Sequence, residues 1–466
     1  MAELEKNQNV AEAKVAEKTS SKGGMSLKES ADALVKYGGF GIIDATIEKA
    51  GNLNPDKKAK RNIFLNESDI EDRKALKRRL QLWMSLLSDN EAIDEMVTQC
   101  HESSEKAEKE LAKNIAKGLK ATELLEKNYR AVDLFIKNTG KDKLNNVTFV
   151  NASEDQVKDL DNTLFADAIN EELNINFNRL DLRNSYSMML MPGYLGKNSV
   201  LSHWGEIAHN HKVTMLTDFR DLDDAEDVIE LFSDADHASA DAHKSNIVMA
   251  CNWLMGREGY PELGIEEDLR VAPSSALAGK IYQSRSSMAQ VVAGVQHGKM
   301  AGIDGVAFPT KKTELTNLED LGLVPMTNEF GSVMAFSGKT LFNGDNIGLQ
   351  SYSVVRTFDW VGKVLIDFLN RSAFENFNSK TQRELKKKIS KFLEGIKGSG
   401  KLLKDFSIHE LDQDKENPDI VNVKIHLTPF FATRTFLLSM AGSNGEKGVE
   451  WDTDCLLYTS PSPRDS

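Results

Sequence analysis

The sequence predicts an α/β protein: a helical N-terminal region, then a mixed α/β core, then a C-terminal segment of helices followed by strands. Three observations carry this. Apolar residues recur at steps of three and four before residue 140 and again between 354 and 396. Between 146 and 343, short apolar runs bounded by Gly, Pro and Asn alternate with helical spacing, the order of an α/β unit. Near the C-terminus Val421, Val423, Ile425 and Leu427 alternate with Asn422, Lys424 and His426, the period of a strand with one buried face.

Composition bounds the answer. At 466 residues the chain is too long for a single small core, so several domains are expected. Hydrophobic residues at 40% and charged residues at 28% are ordinary globular values. A net charge of −13 argues against general nucleic-acid binding, which needs clustered Lys and Arg. Cys100, Cys251 and Cys455 have no spacing that suggests a disulfide framework or a zinc ribbon, which fits a reducing compartment. The first residues carry neither a basic nor an apolar signal segment, and no apolar run approaches the roughly 20 residues of a membrane span. The expectation is a soluble cytoplasmic protein without membrane insertion.

Taken in order, residues 1–24 are rich in Glu, Lys, Asn and Ser and are expected to form a disordered tail. Residues 25–140 read as a helical region. Leu76, Leu80, Trp83 and Leu87 form one apolar stripe, and Leu111, Ile115, Leu119, Leu125, Tyr129, Val132 and Ile136 form a second. Such stripes suit either a helical hairpin packed on its own domain or one that receives a partner.

Residues 141–343 read as the α/β core. Asn146 to Ser153 is expected to be a strand ending in a helix cap, with Gln156 completing a capping box on Ser153. Leu164 to Leu173 reads as a helix, Tyr186 to Met191 as a strand, His203 to His211 as a helix and Val213 to Leu216 as a strand. The acid-rich run from Asp218 to Asp241 reads as a solvated helix and loop. The Ala-Pro-Ser-Ser run at Ala272 reads as a cap into a helix containing Ile281 and Met288. Met288, Val291 and Val295 predict one buried helix face, and Gly305 to Phe308 and Val333 to Phe336 predict short strands.

Residues 344–442 read as two amphipathic helices and then strands. Val354, Phe358, Val361, Leu365 and Phe368 mark the first helix; Leu385, Ile389, Phe392 and Ile396 mark the second. The stretch from Lys380 to Lys404 is basic, opposite in sign to the whole, and includes Lys386, Lys387 and Lys388. Strands follow at Phe406 to Leu411, Ile420 to Leu427 and Thr433 to Met440. Residues 443–454 form an acidic, Gly-containing tail, and the string 455–466 resembles a translated sequencing adapter.

The same residues carry only fragments of enzyme motifs. Gly395 to Leu402 spells G-x-x-x-x-G-K-L, without the Ser or Thr that holds magnesium in a phosphate loop, and it leaves a helix instead of opening one. His203 and His209 lie six residues apart, which puts them on opposite helix faces, and His237 and His243 share that spacing. No catalytic residue, cofactor or metal ligand is assigned.

Several segments resemble one family in order. Gly305 to Phe308, then Leu318-Glu-Asp-Leu-Gly-Leu-Val-Pro325, resembles the L-x-x-L-G-F-I-P run of the type VI secretion contractile sheath large subunit, the TssC family. Asn128 to Leu134 is similar to its W-R-G-L segment with Tyr129 in place of Trp, Thr163 to Glu172 to A-L-F-x-x-x-x-x-E-E, and Ile425 to Phe431 to V-x-L-x-P-x-F. The resemblance implies a structural protein, not an enzyme, that pairs with a small (TssB-like) sheath subunit. It implies polymerisation with copies of itself around an Hcp-like inner tube, on a baseplate, with recycling by an AAA+ unfoldase. It points to Leu76, Leu80, Trp83, Leu87, Tyr129 and Arg130 as small-subunit contacts. Val421, Val423, Ile425 and Leu427 become a candidate inter-subunit strand, and Lys386, Lys387 and Lys388 a candidate tube contact, the alternative being an ordinary solvated face. A phage-like contractile particle and, distantly, a metal-dependent hydrolase are the other readings.

Overall fold

The computed structural model describes residues 92–457, apart from 141–143, 145, 180, 183, 184, 284–287, 434, 435 and 444–449, together with Lys74, Arg78, Gln81, Leu82, Met84, Ser85 and Ser88. The chain divides into two compact units, residues 1–121 with 261–264, and residues 122–260 with 265–466. The described part of the first unit is mainly the leading half of a long helix, α1 (Ile93–Thr139). Asp94 and Glu95 sit in its first turn, where negative charge suits the helix dipole. The expected second arm of a hairpin is thus one uninterrupted helix. The stripe Leu76, Leu80, Trp83 and Leu87, the 1–24 tail and residues 458–466 lie outside the described residues.

In the second unit, α2 (Glu154–Lys158), α3 (Leu164–Phe177), β1 (Met188–Tyr194), α4 (Asn198–Asn210), β2 (Thr214–Asp218), α5 (Ala225–Ala235) and β3 (Ile247–Cys251) follow one another. Next come β4 (Leu254–Arg257), β5 (Leu269–Val271), α6 (Ser274–Gln283), α7 (Gly294–His297), α8 (Lys312–Asp320), β6 (Leu323–Glu329) and β7 (Ser332–Ala335). The main sheet has the order β1-β2-β3-β6-β7. Its first four strands are parallel, with Met215 opposite Ile247 and Met249 opposite Leu323. The last pair is antiparallel, with Thr327 opposite Met334. Fold class therefore follows the sequence: α/β, with the helical segment ahead of it.

Both faces of this sheet are covered. Met215, Ile247, Met249 and Leu323 point into a core with Trp204, Phe219, Val228 and Phe232. Leu216, Val248, Ala250, Val324 and Met326 point the other way, onto Leu277, Ile281 and Leu134 of α1. Burial on both sides explains why Ile247 to Cys251 reads as an unbroken apolar run with no alternation, and why the central strand β3 has no period-two signature. The capping box at Ser153 is present, with Gln156 N donating to Ser153 Oγ at 3.2 Å.

Three expectations for the core are corrected. Gly305 to Phe308 is not a strand and carries only an isolated bridge, Val306 with Leu254. Asn146 to Asn151 has no ladder partner among the described residues. Met288, Val291 and Val295 do not share a helix: Val291 and Val292 are buried from an irregular segment, and the helix is only the single turn α7. Gly294 at φ +68° sets the backbone in the left-handed region at that point, which ends any right-handed helix running through it.

The C-terminal part consists of α9 (Tyr352–Arg371), α10 (Ser379–Ile396), the ribbon β8 (Leu403–Gln413) with β9 (Val421–Pro429), and the ribbon β10 (Phe436–Ser443) with β11 (Glu450–Leu457). Val361 of α9, Leu385, Ile389 and Leu393 of α10, and Leu403 and Leu411 of β8 form a third core. Residues 450–457, assigned by composition to an acidic tail and the start of the terminal string, pair antiparallel with 436–443 instead. Backbone pairing overrides the low apolar content from which a tail was read.

Candidate functional site

The last turns of α1 are held by residues that the apolar pattern did not select. Glu126, Arg130, Leu134 and Asn138 recur every four residues and form the docked face. Arg130 Nη1 donates to Gly256 O at 2.7 Å and its Nε to Glu126 Oε1 at 2.9 Å. Arg257 Nε also donates to Glu126 Oε1, at 3.0 Å. Burial works against the charge on Glu126, yet the hydrogen bonds from Arg257 and Arg130 hold its carboxyl below the usual range. Asn138 Oδ1 accepts from Ala301 N at 2.9 Å. A side chain on Gly279 of α6 would stand 2.4 Å from Phe135 O, so glycine there lets the two helices meet.

Five of the seven stripe residues face outward, while Leu119 and Ile136 are half-buried. Leu111, Ile115, Leu125, Tyr129 and Val132 are all exposed, Leu125 at 69% and Tyr129 at 70%. With Gly118 and Thr122 between them, they follow alternating steps of four and three, the 3.5-residue period of a helix that packs along another helix. Burying one Leu or Tyr of this kind is worth about 1.5–3 kcal/mol, so an uncovered row of them is a costly surface for a lone chain. Leu82 and Met84 are exposed as well. Of the two sequence candidates on α1, Tyr129 thus faces solvent and Arg130 is committed to its own unit.

Val421, Val423, Ile425 and Leu427 pack against the third core. β9 pairs antiparallel with β8, with Ile425 opposite Ile408, in a two-stranded sheet. Each strand of that ribbon therefore has an edge with no ladder among the described residues. Lys386, Lys387 and Lys388 are exposed on α10, opposite its buried Leu385, Ile389 and Leu393.

The groups that would suggest catalysis serve the fold. Asp218 is fully buried at the end of β2. It accepts hydrogen bonds from Ser274 N at 2.7 Å, Ser274 Oγ at 2.5 Å and Gly193 N at 2.8 Å, which ties β1 and β2 to the start of α6. Burial pushes its carboxyl up to about 7. His209 Nδ1 and Asn246 Oδ1 are 2.8 Å apart, and His237 Nε2 lies 3.2 Å from Tyr194 OH. Among the described residues no three His, Cys, Asp or Glu side chains are grouped as a metal site. No helix of the described residues is long and apolar enough to cross a membrane.

Residues 117–343 match the family described as type VI secretion system TssC/VipB, central domain. Residues 351–457 match the TssC/VipB-like C-terminal domain, and residues 27–115 the TssC/VipB-like N-terminal region. No curated protein matches the chain. Among solved structures, the chain is similar to the helical sheath of the anti-feeding prophage in its contracted state, at 15% identity and a TM-score of 0.47, over 66% of this chain and 80% of that one. It is also similar to the contracted sheath complex of the extracellular contractile injection system PVC, at 16% identity and a TM-score of 0.41, over 53% and 69%. A chain of the anti-feeding prophage baseplate gives 12% identity and a TM-score of 0.40, over 52% of this chain and 65% of its own length.

Proposed function

Since the chain belongs to the TssC/VipB family and is a large subunit of a type VI secretion contractile sheath, we propose that the outward stripe of α1 seats the small, TssB-like sheath subunit. The observation that supports this is the exposure of Leu125 and Tyr129 on a helix whose opposite face is already anchored to its own unit. A second helix laid along Leu111, Ile115, Leu125, Tyr129 and Val132 would cover the row at the 3.5-residue period the stripe keeps.

The pair then polymerises with copies of itself around an Hcp-like inner tube on a baseplate, and contraction drives the tube outward. Such an assembly stores energy in one subunit packing and releases it in another, so the subunit itself needs no active site. The edges of the β8-β9 and β10-β11 ribbons, unpaired among the described residues, suit strand addition between neighbouring subunits. Lys386, Lys387 and Lys388 suit an acidic tube wall, and recycling falls to an AAA+ unfoldase. We place the boundary between the sheath core and the C-terminal sheath domain at residues 343 and 344.

The test is expression with and without the neighbouring small-subunit gene. The expected outcome is an aggregated chain alone and a dispersed complex with the partner. A stable, monodisperse monomer would overturn the reading.

A further inference from the structure

A cavity of about 420 Å3 lies between α9 and the segments that lead into β1 and β2. It falls where residues matched to the C-terminal domain, on α9, meet residues matched to the central domain, such as Leu182 and Lys212. Three bases line it: Arg356, Lys363 and Lys212.

Two acids, Asp359 and Asp367, line it too; Asp359 offsets part of the charge of Lys363 and Lys212, and each acid also accepts hydrogen bonds. Asp359 Oδ2 accepts from Asn246 Nδ2 at 2.9 Å. Asp367 Oδ1 accepts from Leu182 N at 2.9 Å, and its Oδ2 from Arg371 Nε at 3.0 Å. Lys363 Nζ donates to Tyr186 O at 2.6 Å, which leaves two of its three protons.

Arg356 differs from the others. It is 7% exposed, and its Nη1 is buried with no hydrogen-bond partner among the described residues. A buried donor left without an acceptor costs about 1–3 kcal/mol, and more when it is charged. Tyr352 favours its charge. Burial lowers Arg356 to about 10 and Lys363 to about 8, so both remain cationic at neutral pH.

We propose that this cavity is an oxyanion site that takes a carboxylate- or phosphate-class group. In it Arg356 supplies the recognising fork, and Lys363 and Lys212 balance the charge. A planar guanidinium meets two oxygens of such a group at once. The volume exceeds the roughly 30 Å3 share of one water many times over, so an oxyanion fits with its remaining hydration. The bound charge would join α9 to the central sheet. The inference rests on these side chains and not on the assignment of the small-subunit seat. The group comes either from solution or from an acidic side chain of a neighbouring subunit in the assembled sheath.

The experiment is a thermal melt of the full chain, co-expressed with the small subunit where solubility needs it, in sodium phosphate against sodium chloride at equal ionic strength. Phosphate is expected to raise the melting temperature, and Arg356→Met and Lys212→Gln are each expected to weaken phosphate binding by about tenfold or more. Arg356→Met removes an unsatisfied buried charge, so without phosphate it should melt no lower than the parent. Lys386→Gln, on the exposed face of α10, should keep the full response. Retention of radiolabelled phosphate by dissociated subunits and assembled sheath alike identifies a free anion as the occupant. Retention by dissociated subunits with release on assembly identifies a neighbour's carboxylate. A melting temperature no higher in phosphate than in chloride, or a response that survives both the Arg356 and Lys212 changes, overturns the proposal.

Discussion

Tyr129 and Arg130 are chain neighbours, about 100° apart around one helix, that serve different faces: Arg130 donates a 2.7 Å hydrogen bond to the Gly256 carbonyl, while Tyr129 is 70% exposed. The two should separate folding from assembly. Arg130→Met breaks bonds to Gly256 O and Glu126 and leaves Glu126 with Arg257 as its remaining base, so it should lower stability by about 1.5–3 kcal/mol. Tyr129→Asp should change stability by no more than about 0.5 kcal/mol, the range of an exposed site, yet abolish co-purification of the small subunit. Urea unfolding and an affinity pull-down read the two effects. A Tyr129 variant that still co-purifies would remove this residue from the interface.

Asp218 and His237 should give opposing dependences on pH. Burial raises Asp218 to about 7, above its unfolded value near 3.8, so its contribution is full below pH 3.8 and fades as pH rises through 7. Burial lowers His237 to about 4, below its unfolded value near 6.5, so its contribution is full above pH 6.5 and fades as pH falls through 4. Between about pH 4 and 6.5 the two slopes have opposite sign and partly cancel. Asp218→Asn should therefore leave a stability that climbs with pH across that window, at a lower absolute level because an amide nitrogen cannot accept from Gly193 N. His237→Phe should leave a stability that falls with pH. Melting temperatures in matched buffers from pH 4 to 7.5 check both, and identical slopes in all three proteins would refute the assignment.

Reversal of charge at Lys386, Lys387 and Lys388 to Glu should leave the fold intact, since all three project from the solvent side of α10. If they hold an acidic tube wall, tube recruitment should drop, and its salt dependence should weaken. Unchanged recruitment in low salt would make this an ordinary solvated face.

A chain that stops at Thr433 keeps β8, β9 and the third core but lacks the β10-β11 ribbon. It should still bind the small subunit and fail to form cylinders, if that ribbon links neighbours. A stop before Ile420 removes Val421, Val423, Ile425 and Leu427 from the third core and should unfold that part as well. Limited proteolysis and negative-stain microscopy distinguish the two, and intact sheaths from either truncation would refute strand sharing.

The period of the apolar residues was enough to place α9, α10 and β9, because each has one buried face and so a repeating pattern. β3 escaped because both of its faces are buried, and the helix expected over Met288 to Val295 failed because Gly294 takes a left-handed conformation that no spacing rule encodes. On α1 the sequence alone determined that Leu125, Tyr129 and Val132 share a face, and the order of motifs along the chain determined the family. Only the tertiary structure decided that this face looks outward while Glu126 and Arg130 look in. Periodicity fixes which side chains lie together, but Glu126 is tolerated on the inner side because Arg257, 131 residues away in the chain, arrives to balance its charge. The same holds for Arg356: its helix was legible, and its buried nitrogen, without a partner among the described residues, shares a cavity with Lys363 and Lys212 only once α9 is packed against segments distant in sequence.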